Sequence, residues 1–272
     1  MEEFDSAAWA GDGNENKNRL RALIKEGTKI AGGSVASTVG FFAAGPAGAA
    51  ALGAVGVMAS DALIRIGEDV AQRMLGPREK VRVGGVLALS ASRIQDRLNA
   101  GHQVRTDGFF DQREDARSDA DEIAESIILK AQRESEEKKI PYLANILANA
   151  AFAPHIKLPL AQQLAKTADA LSYRQLCIMR AVSIIERKPQ LVRRGNYRDK
   201  SEFEVSLLGI LYEINDLIQR EIVTTERDPV GLQGIAPSTL TLQGLGRDLY
   251  DLMELERIGP QDAEEIIGNL NG

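Results

Sequence analysis

The side chains that could carry out chemistry are few and widely separated in this sequence. The 272 residues include one cysteine, Cys177, and two histidines, His102 and His155. This count excludes an intrachain disulfide and a metal site rich in cysteine or histidine. Cys177 lies in the apolar stretch LCIMRAV, where we expect an inert buried thiol. The motifs GxxxxGK, GxGxxG, GxSxG and HExxH are absent, so we expect a non-enzymatic protein that uses no cofactor.

Acidic residues cluster between positions 111 and 125, where carboxylates could offer ligands to a divalent cation. Their members are Asp111, Glu114, Asp115, Asp119, Asp121, Glu122 and Glu125. Arg113 and Arg117 interrupt the cluster. Its spacing does not match a calcium loop, which needs alternating oxygen ligands and a central glycine. We therefore expect no metal site here.

A basic loop is the candidate contact for nucleic acid or a partner protein. Its residues are Arg193, Arg194, Tyr197, Arg198 and Lys200. Cations beside an aromatic ring can hold a phosphate backbone, and the same residues also fit an ordinary solvated loop. The net charge of −6 disfavours extensive nucleic-acid binding, which needs clustered lysine and arginine. Nucleic acid is thus the less favoured partner.

An uncharged run rich in glycine and alanine, residues 30–60, is the most unusual stretch of the chain. Small residues at helical spacing let helix backbones approach closely, in a membrane or in a soluble helical hairpin. Gly45-Pro46 predicts a turn within the run. A basic amphipathic helix, residues 17–29, leads into it and fits the positive-inside rule. The residues expected to pack helices together or to contact a membrane are Gly32, Gly40, Gly45, Pro46, Gly48, Gly53 and Gly56.

Elsewhere, apolar residues recur at helical spacing, so we predict a mainly α fold. Pro77, Ser118, Pro141, Pro159 and Ser172 are expected to begin helices. We divide the chain into four segments. They are a flexible arm at 1–16, the hydrophobic hairpin with amphipathic helices at 17–101, a charged helical region at 102–170 and a winged-helix-like α+β domain at 171–272.

The pattern changes after Lys188. PQLVRR predicts a short strand, residues 202–221 a helix, and EIVTTE and TLTLQG two further strands before a helix. This order is typical of a winged helix, with residues 225–238 as the wing. The candidate recognition helix carries mainly acidic charges, which repel phosphates. We therefore favour a protein-binding or structural role over DNA binding. The charged residues concerned are Glu202, Glu204, Glu213, Asp216 and Arg220.

The middle of the chain resembles the Abi-alpha type abortive-infection proteins of bacteria. The similar segments are EEKKIPYLANILANAAFAPHI and ALSYRQLCIM. The matched positions are Tyr142, Ile146, Leu147, Ala148, Asn149, Ala150, Leu171, Ser172, Gln175, Leu176 and Ile178. The family offers no catalytic residue to carry over. The resemblance implies a bacterial protein with a role in phage defence or cell toxicity.

Two functions remain open from the sequence. One is a membrane-active or membrane-associated defence effector that acts through residues 30–66, as a homo-oligomer or with a partner protein. The other is a soluble winged-helix adaptor or regulator that binds a partner protein or, less favoured, DNA. The acidic composition and the lack of disulfides indicate a cytoplasmic location, free or at the inner membrane.

Overall fold

The computed structural model describes residues 6–31, 53–112, 117–226 and 231–271. Over these residues the protein is mainly helical, with ten helices and one small antiparallel sheet near the C-terminus. The chain divides into two compact units, Met1–Asp169 and Ala170–Gly272. The segments 17–101 and 102–170, which we separated by sequence, therefore belong to one unit.

The first unit is built from helices. They are α1 (Ser6–Ala31), α2 (Gly53–Ala71), α3 (Pro77–Asn99), α4 (Asp119–Arg133), α5 (Ile140–Ala150) and α6 (Leu158–Ala170). Several predicted starts are confirmed. Pro77 is the first residue of α3, where its missing N–H is not needed. Ser118 caps α4, since its Oγ accepts from the N–H of Asp121 at 3.1 Å while the Asp121 carboxylate accepts from the Ser118 N–H at 3.3 Å.

One predicted boundary in this unit needs correction. Helix α1 begins at Ser6, so most of the segment 1–16 is helical rather than a flexible arm. The alanines of its first turns, which have the highest helix propensity, account for this. Helix α4 ends at Arg133. Glu134 leaves the helix there with a buried side chain, and its carboxylate pairs with the equally buried Lys139 at 2.5 Å.

Helix α3 is the centre of the first unit and packs against α1, α2, α4 and α5. It crosses α1 at glycines. A Cβ built on Gly84 would lie 2.0 Å from the carbonyl oxygen of Leu23, and one built on Gly27 would lie 2.0 Å from the carbonyl carbon of Gly84. No side chain fits at such distances, so the two helix backbones are in direct contact.

The second unit combines helices with the sheet. Its helices are α7 (Tyr173–Arg187), α8 (Val205–Gln219), α9 (Leu245–Met253) and α10 (Pro260–Asn269). Strand β1 (Val223–Thr224) pairs antiparallel with β2 (Thr241–Leu242), with Val223 opposite Leu242. Both strands lie where the sequence predicted them, but each has only two residues.

The strand predicted at PQLVRR is wrong. The structure has a 3₁₀ turn at Pro189–Leu191 instead. Pro189 fixes its own φ and lacks the N–H that a strand interior would donate, so it suits the start of a turn. The prediction at Ser172 is confirmed, since its Oγ accepts from the Gln175 N–H at 3.1 Å and caps α7.

Candidate functional site

The strongest polar cluster of the first unit surrounds Arg105. Its guanidinium is 1% exposed and donates two hydrogen bonds of 2.7 Å to the carboxylate of Asp107. Its remaining terminal nitrogen donates to the carbonyls of Ala150, Ala153 and Ile156 at 2.8–3.2 Å. The charged hydrogen bonds from Arg105 hold the pKa of Asp107 well below its ordinary value. Such a carboxylate is a poor proton acceptor at neutral pH. The cluster therefore holds the chain around Arg105 against residues 150–156 and is not an acid–base site.

The acidic cluster is likewise tied up in ion pairs. Asp121 is almost fully buried and accepts from Arg65 at 3.0 Å. Glu125 accepts from Arg73 at 2.8 Å and also pairs with Arg117. Residues 113–116, which include two of the acidic side chains, lie outside the described residues. Among the residues that are described, no group of three or more histidine, cysteine or acidic residues is arranged to hold a metal ion.

The basic loop divides into residues that the fold uses and residues that face water. Tyr197 is fully buried, and its hydroxyl donates to the carbonyl of Leu270 at 2.6 Å. Burial raises the pKa of this phenol. Arg193 lies over the Tyr197 ring at 4.7 Å and pairs with Asp199 at 2.9 Å. Tyr197 therefore does not present its ring to a nucleic-acid base.

Three members of the basic loop remain at the surface. Arg194 and Arg198 are exposed and Lys200 is half-buried. The backbone of the loop is held in place, since the N–H of Tyr197 donates to the Gln233 carbonyl at 2.9 Å. A contact between these cations and a phosphate or partner stays a prediction.

The predicted glycine contacts of the uncharged run fall mostly outside the described residues. This applies to Gly32, Gly40, Gly45, Pro46 and Gly48. Gly53 and Gly56 lie in the first turns of α2.

In the described residues, close helix packing occurs at Gly27 and Gly84, which sequence reasoning missed. The available signal was the pair Gly84-Gly85 inside an otherwise regular amphipathic helix pattern. Among the helices that the structure describes, none is both long enough and apolar enough to cross a membrane.

The clearest surface feature of the second unit is an apolar stripe on α8. Val205 is 86% exposed and Tyr212 is 61% exposed. They are seven residues apart, which places them two turns apart on one face. Gly209 lies between them on this face, and a Cβ built there would lie 3.5 Å from the Arg174 guanidinium, which covers this turn. We call this surface the α8 face.

The opposite side of α8 fixes the helix in the unit. It buries Leu207, Ile210, Leu211, Ile214 and Leu217. A polar contact also joins α8 to α7, because the side-chain amide of Gln175 donates to Asp216 at 2.8 Å. Burial on one side and exposure of Val205 and Tyr212 on the other mean that the stripe is presented on a rigid element.

Acidic residues surround the α8 face. Glu202 and Glu204 are exposed just before the helix begins. Glu213 accepts from Arg174 at 2.7 and 2.9 Å, and Asp216 accepts from Arg220 at 2.7 Å. The two glutamates before the helix thus leave a net negative rim. An apolar stripe with such a rim can bind a protein segment.

Comparison of the chain with protein-family models, curated proteins and solved structures finds no match. The resemblance of residues 136–179 to abortive-infection proteins therefore stays a prediction. The function has to be inferred from the surfaces of the protein itself.

Proposed function

We propose that the protein is a non-enzymatic adaptor or regulator whose C-terminal unit binds a basic, partly apolar segment of a partner protein through the α8 face. The observation that carries this proposal is the exposure of Val205 and Tyr212, two turns apart on one face of a helix whose other side is buried. Tyrosine is enriched among the residues that dominate binding energy at interfaces, because it buries a large area and keeps a polar end.

The order of elements in the second unit supports a winged-helix-like function. Two helices, α7 and α8, precede β1 and β2, and α9 follows the strands. In helix-turn-helix domains the second helix is the recognition helix, which lies in the DNA major groove. Here that helix carries the apolar stripe, and its rim is acidic. Those features suit a protein ligand, because acidic side chains repel a phosphate backbone.

Charge sets the chemistry of the proposed partner. Glu202 and Glu204 attract lysine or arginine, and Arg174 and Arg220 offset the carboxylates further along the helix. The partner segment should therefore combine an apolar anchor with basic residues at one end. Complementary charge of this kind speeds association and selects among partners more than it adds affinity.

Photo-crosslinking in cells that express the protein tests this proposal. A benzophenone amino acid is placed at position 212 and, as a matched control, at the exposed position Gln190. We expect an adduct from position 212 alone, on a segment rich in lysine or arginine, and expect Val205→Asp to abolish it. Adducts shared with position 190, an acidic partner segment, or no adduct at position 212 would each contradict the proposal.

A second candidate is the membrane-associated phage-defence effector acting through residues 30–66. Two observations favour it. Lys25 and Lys29 are exposed in the last turns of α1, immediately before the uncharged run. The first charged residue after the run is Asp61, in the middle of α2. Basic residues that flank an uncharged segment favour the surface of an anionic membrane.

Flotation with liposomes tests the second candidate. Wild type should float with vesicles of phosphatidylglycerol and phosphatidylethanolamine, and Gly40→Leu with Gly48→Leu should reduce the floating fraction without unfolding the protein. Recovery of wild type only in the soluble fraction would rule out a membrane role for this run. The first proposal would still hold in that case if the cross-link from position 212 is unchanged.

A further inference from the structure

A groove in the first unit is not used by either proposed function. It lies between α1, the end of α2 and the start of α3, and its volume is about 450 Å³. This is within the roughly 300–1,000 Å³ usual for small-molecule sites. Its lining residues are Arg19, Ala22, Leu23, Glu26, Ala71, Arg73, Leu75, Pro77 and Lys80. We call it the Lys80 groove.

The groove combines an apolar interior with cations. Five of its nine lining residues have apolar side chains, namely Ala22, Leu23, Ala71, Leu75 and Pro77. Lys80 is exposed in the first turn of α3 and forms no ion pair within 4 Å among the residues that the structure describes. An apolar wall beside an exposed ammonium group suits a ligand with a hydrocarbon chain and an anionic head.

The other charges of the groove differ in how firmly they are held. Arg73 is bound to Asp69 at 2.6 Å and to Glu125 at 2.8 Å, so it forms a fixed wall. Arg19 pairs with Glu15, and both side chains are at least half exposed. Exposed pairs of this kind contribute about 0–1 kcal/mol, so an anionic ligand can replace Glu15.

Glu26 is the one carboxylate among the described residues that line the groove. Lys29 donates to it at 2.5 Å and lowers its pKa, and the charge of Lys80 contributes further in the same direction. Its charge is therefore largely offset by Lys29 before any ligand binds. Arg19 and Lys80 remain as the two cations that can face a ligand.

We propose that the Lys80 groove binds a single-chain anionic amphiphile, an acyl or alkyl chain with a phosphate or carboxylate head. Arg19 and Lys80 hold the head, and Ala22, Ala71 and Leu75 contact the chain. This inference depends neither on the α8 face nor on residues 32–52. It can therefore fail while the proposed functions hold, and the proposed functions can fail while it holds.

Titration calorimetry with the full chain tests the proposal. The probe is dodecyl phosphate below its micelle concentration, compared with inorganic phosphate and with dodecyl maltoside, which has the same chain and no charge. We expect saturable binding of one dodecyl phosphate, at least tenfold weaker binding of the maltoside and none of phosphate. Equal binding of the two amphiphiles, or binding of phosphate alone, would overturn the proposal.

Variants locate the binding site. Ala22→Trp fills the groove from an exposed position and should abolish binding, and Lys80→Glu should weaken dodecyl phosphate binding at least tenfold. Lys17→Glu is the matched control, since Lys17 is exposed on the same helix α1 but does not line the groove. Circular dichroism melting confirms that each variant is folded. Wild-type affinity in Lys80→Glu, or equal loss in Lys17→Glu, would contradict the assignment.

A vesicle arm separates a soluble amphiphile from a membrane lipid. Vesicles of phosphatidylglycerol are compared with vesicles of phosphatidylcholine by flotation. Competition of dodecyl phosphate with phosphatidylglycerol vesicles, lost in Lys80→Glu, would identify the headgroup of a membrane lipid as the natural ligand. Dodecyl phosphate binding without competition would identify a soluble amphiphile, and both results support the groove as the site.

Discussion

Gly27 and Gly84 bring the backbones of α1 and α3 into direct contact, because neither position has room for a Cβ. A Cβ on Gly84 would lie 2.0 Å from the Leu23 carbonyl oxygen and 2.9 Å from the Gly27 nitrogen. These are backbone atoms and cannot rotate away as a side chain can. The crossing therefore fixes the separation of α1 from the central helix, and with it the width of the Lys80 groove.

Gly84→Ala should destabilise the protein by about 2–3 kcal/mol, because overpacking forces the two helices apart. Gly268→Ala is the matched control. It also lies in a helix, α10, but its Cβ would meet no atom within 4 Å, so alanine should be neutral or stabilise by up to about 1 kcal/mol. Urea unfolding of both variants measures the difference. Equal effects would show that the close crossing is not a feature of the folded protein.

Arg105→Met should destabilise the first unit by about 3–5 kcal/mol, the usual effect of removing one partner of a buried ion pair. The substitution also leaves the carbonyls of Ala150, Ala153 and Ile156 without their donor. Arg193→Met is the control, because Arg193 also pairs with one carboxylate, that of the exposed Asp199. Thermal melting of the two variants checks the ranking, and a smaller loss for Arg105→Met would contradict it.

The pH dependence of stability should report Asp107. Its folded-state pKa lies below the ordinary value near 3.8, because Arg105 and Lys157 stabilise the charged form. The sign is therefore that of a depressed acid. Its stabilisation is complete above the unfolded-state pKa and declines as the pH falls below about 4. We expect the difference in unfolding free energy between wild type and Asp107→Asn to be constant from pH 7 to 5 and to shrink towards pH 2.5. A difference that grows on acidification would contradict this assignment.

Tyr197→Phe should destabilise the second unit by about 1–2 kcal/mol, because the buried Leu270 carbonyl loses its hydrogen bond from the phenol. Arg198→Ala, at an exposed position of the same loop, should change the unfolding free energy by less than about 0.5 kcal/mol. Chemical denaturation distinguishes the two. A neutral Tyr197→Phe would contradict a stabilising role for the hydrogen bond to Leu270.

Local signals in the sequence predicted much of the helical architecture. Ser118 and Ser172 each precede a side chain three residues later that completes a capping box, so the starts of α4 and α7 follow from neighbouring residues. The two strands follow from β-branched runs next to turn residues. The strand prediction at Pro189 was wrong because it gave more weight to the apolar residues after Pro189 than to the missing N–H of the proline.

Features that depend on distant residues could not be predicted in this way. Arg105 contacts carbonyls more than 40 positions away, and Gly84 meets Gly27 across 57 positions. Tyr197 looks like a ligand contact among basic residues, and only its bond to Leu270 shows that it belongs to the core. The sequence predicted one property of the α8 face, since its acidic residues disfavour DNA binding. The exposure of Val205 and Tyr212 could not be predicted, because it depends on how the whole unit packs.

The affinity of the cross-linked partner segment, measured as a synthetic peptide by fluorescence anisotropy, tests the central claim most directly. Tyr212→Ala should weaken binding at least tenfold. The charge reversal Glu202→Lys with Glu204→Lys should also weaken binding, and the loss of affinity should be larger at low salt than at high salt. Ser206→Ala, at an exposed position off the stripe, serves as control and should leave the affinity unchanged. An affinity that is the same for wild type and Tyr212→Ala would contradict the assignment of the α8 face as the binding surface.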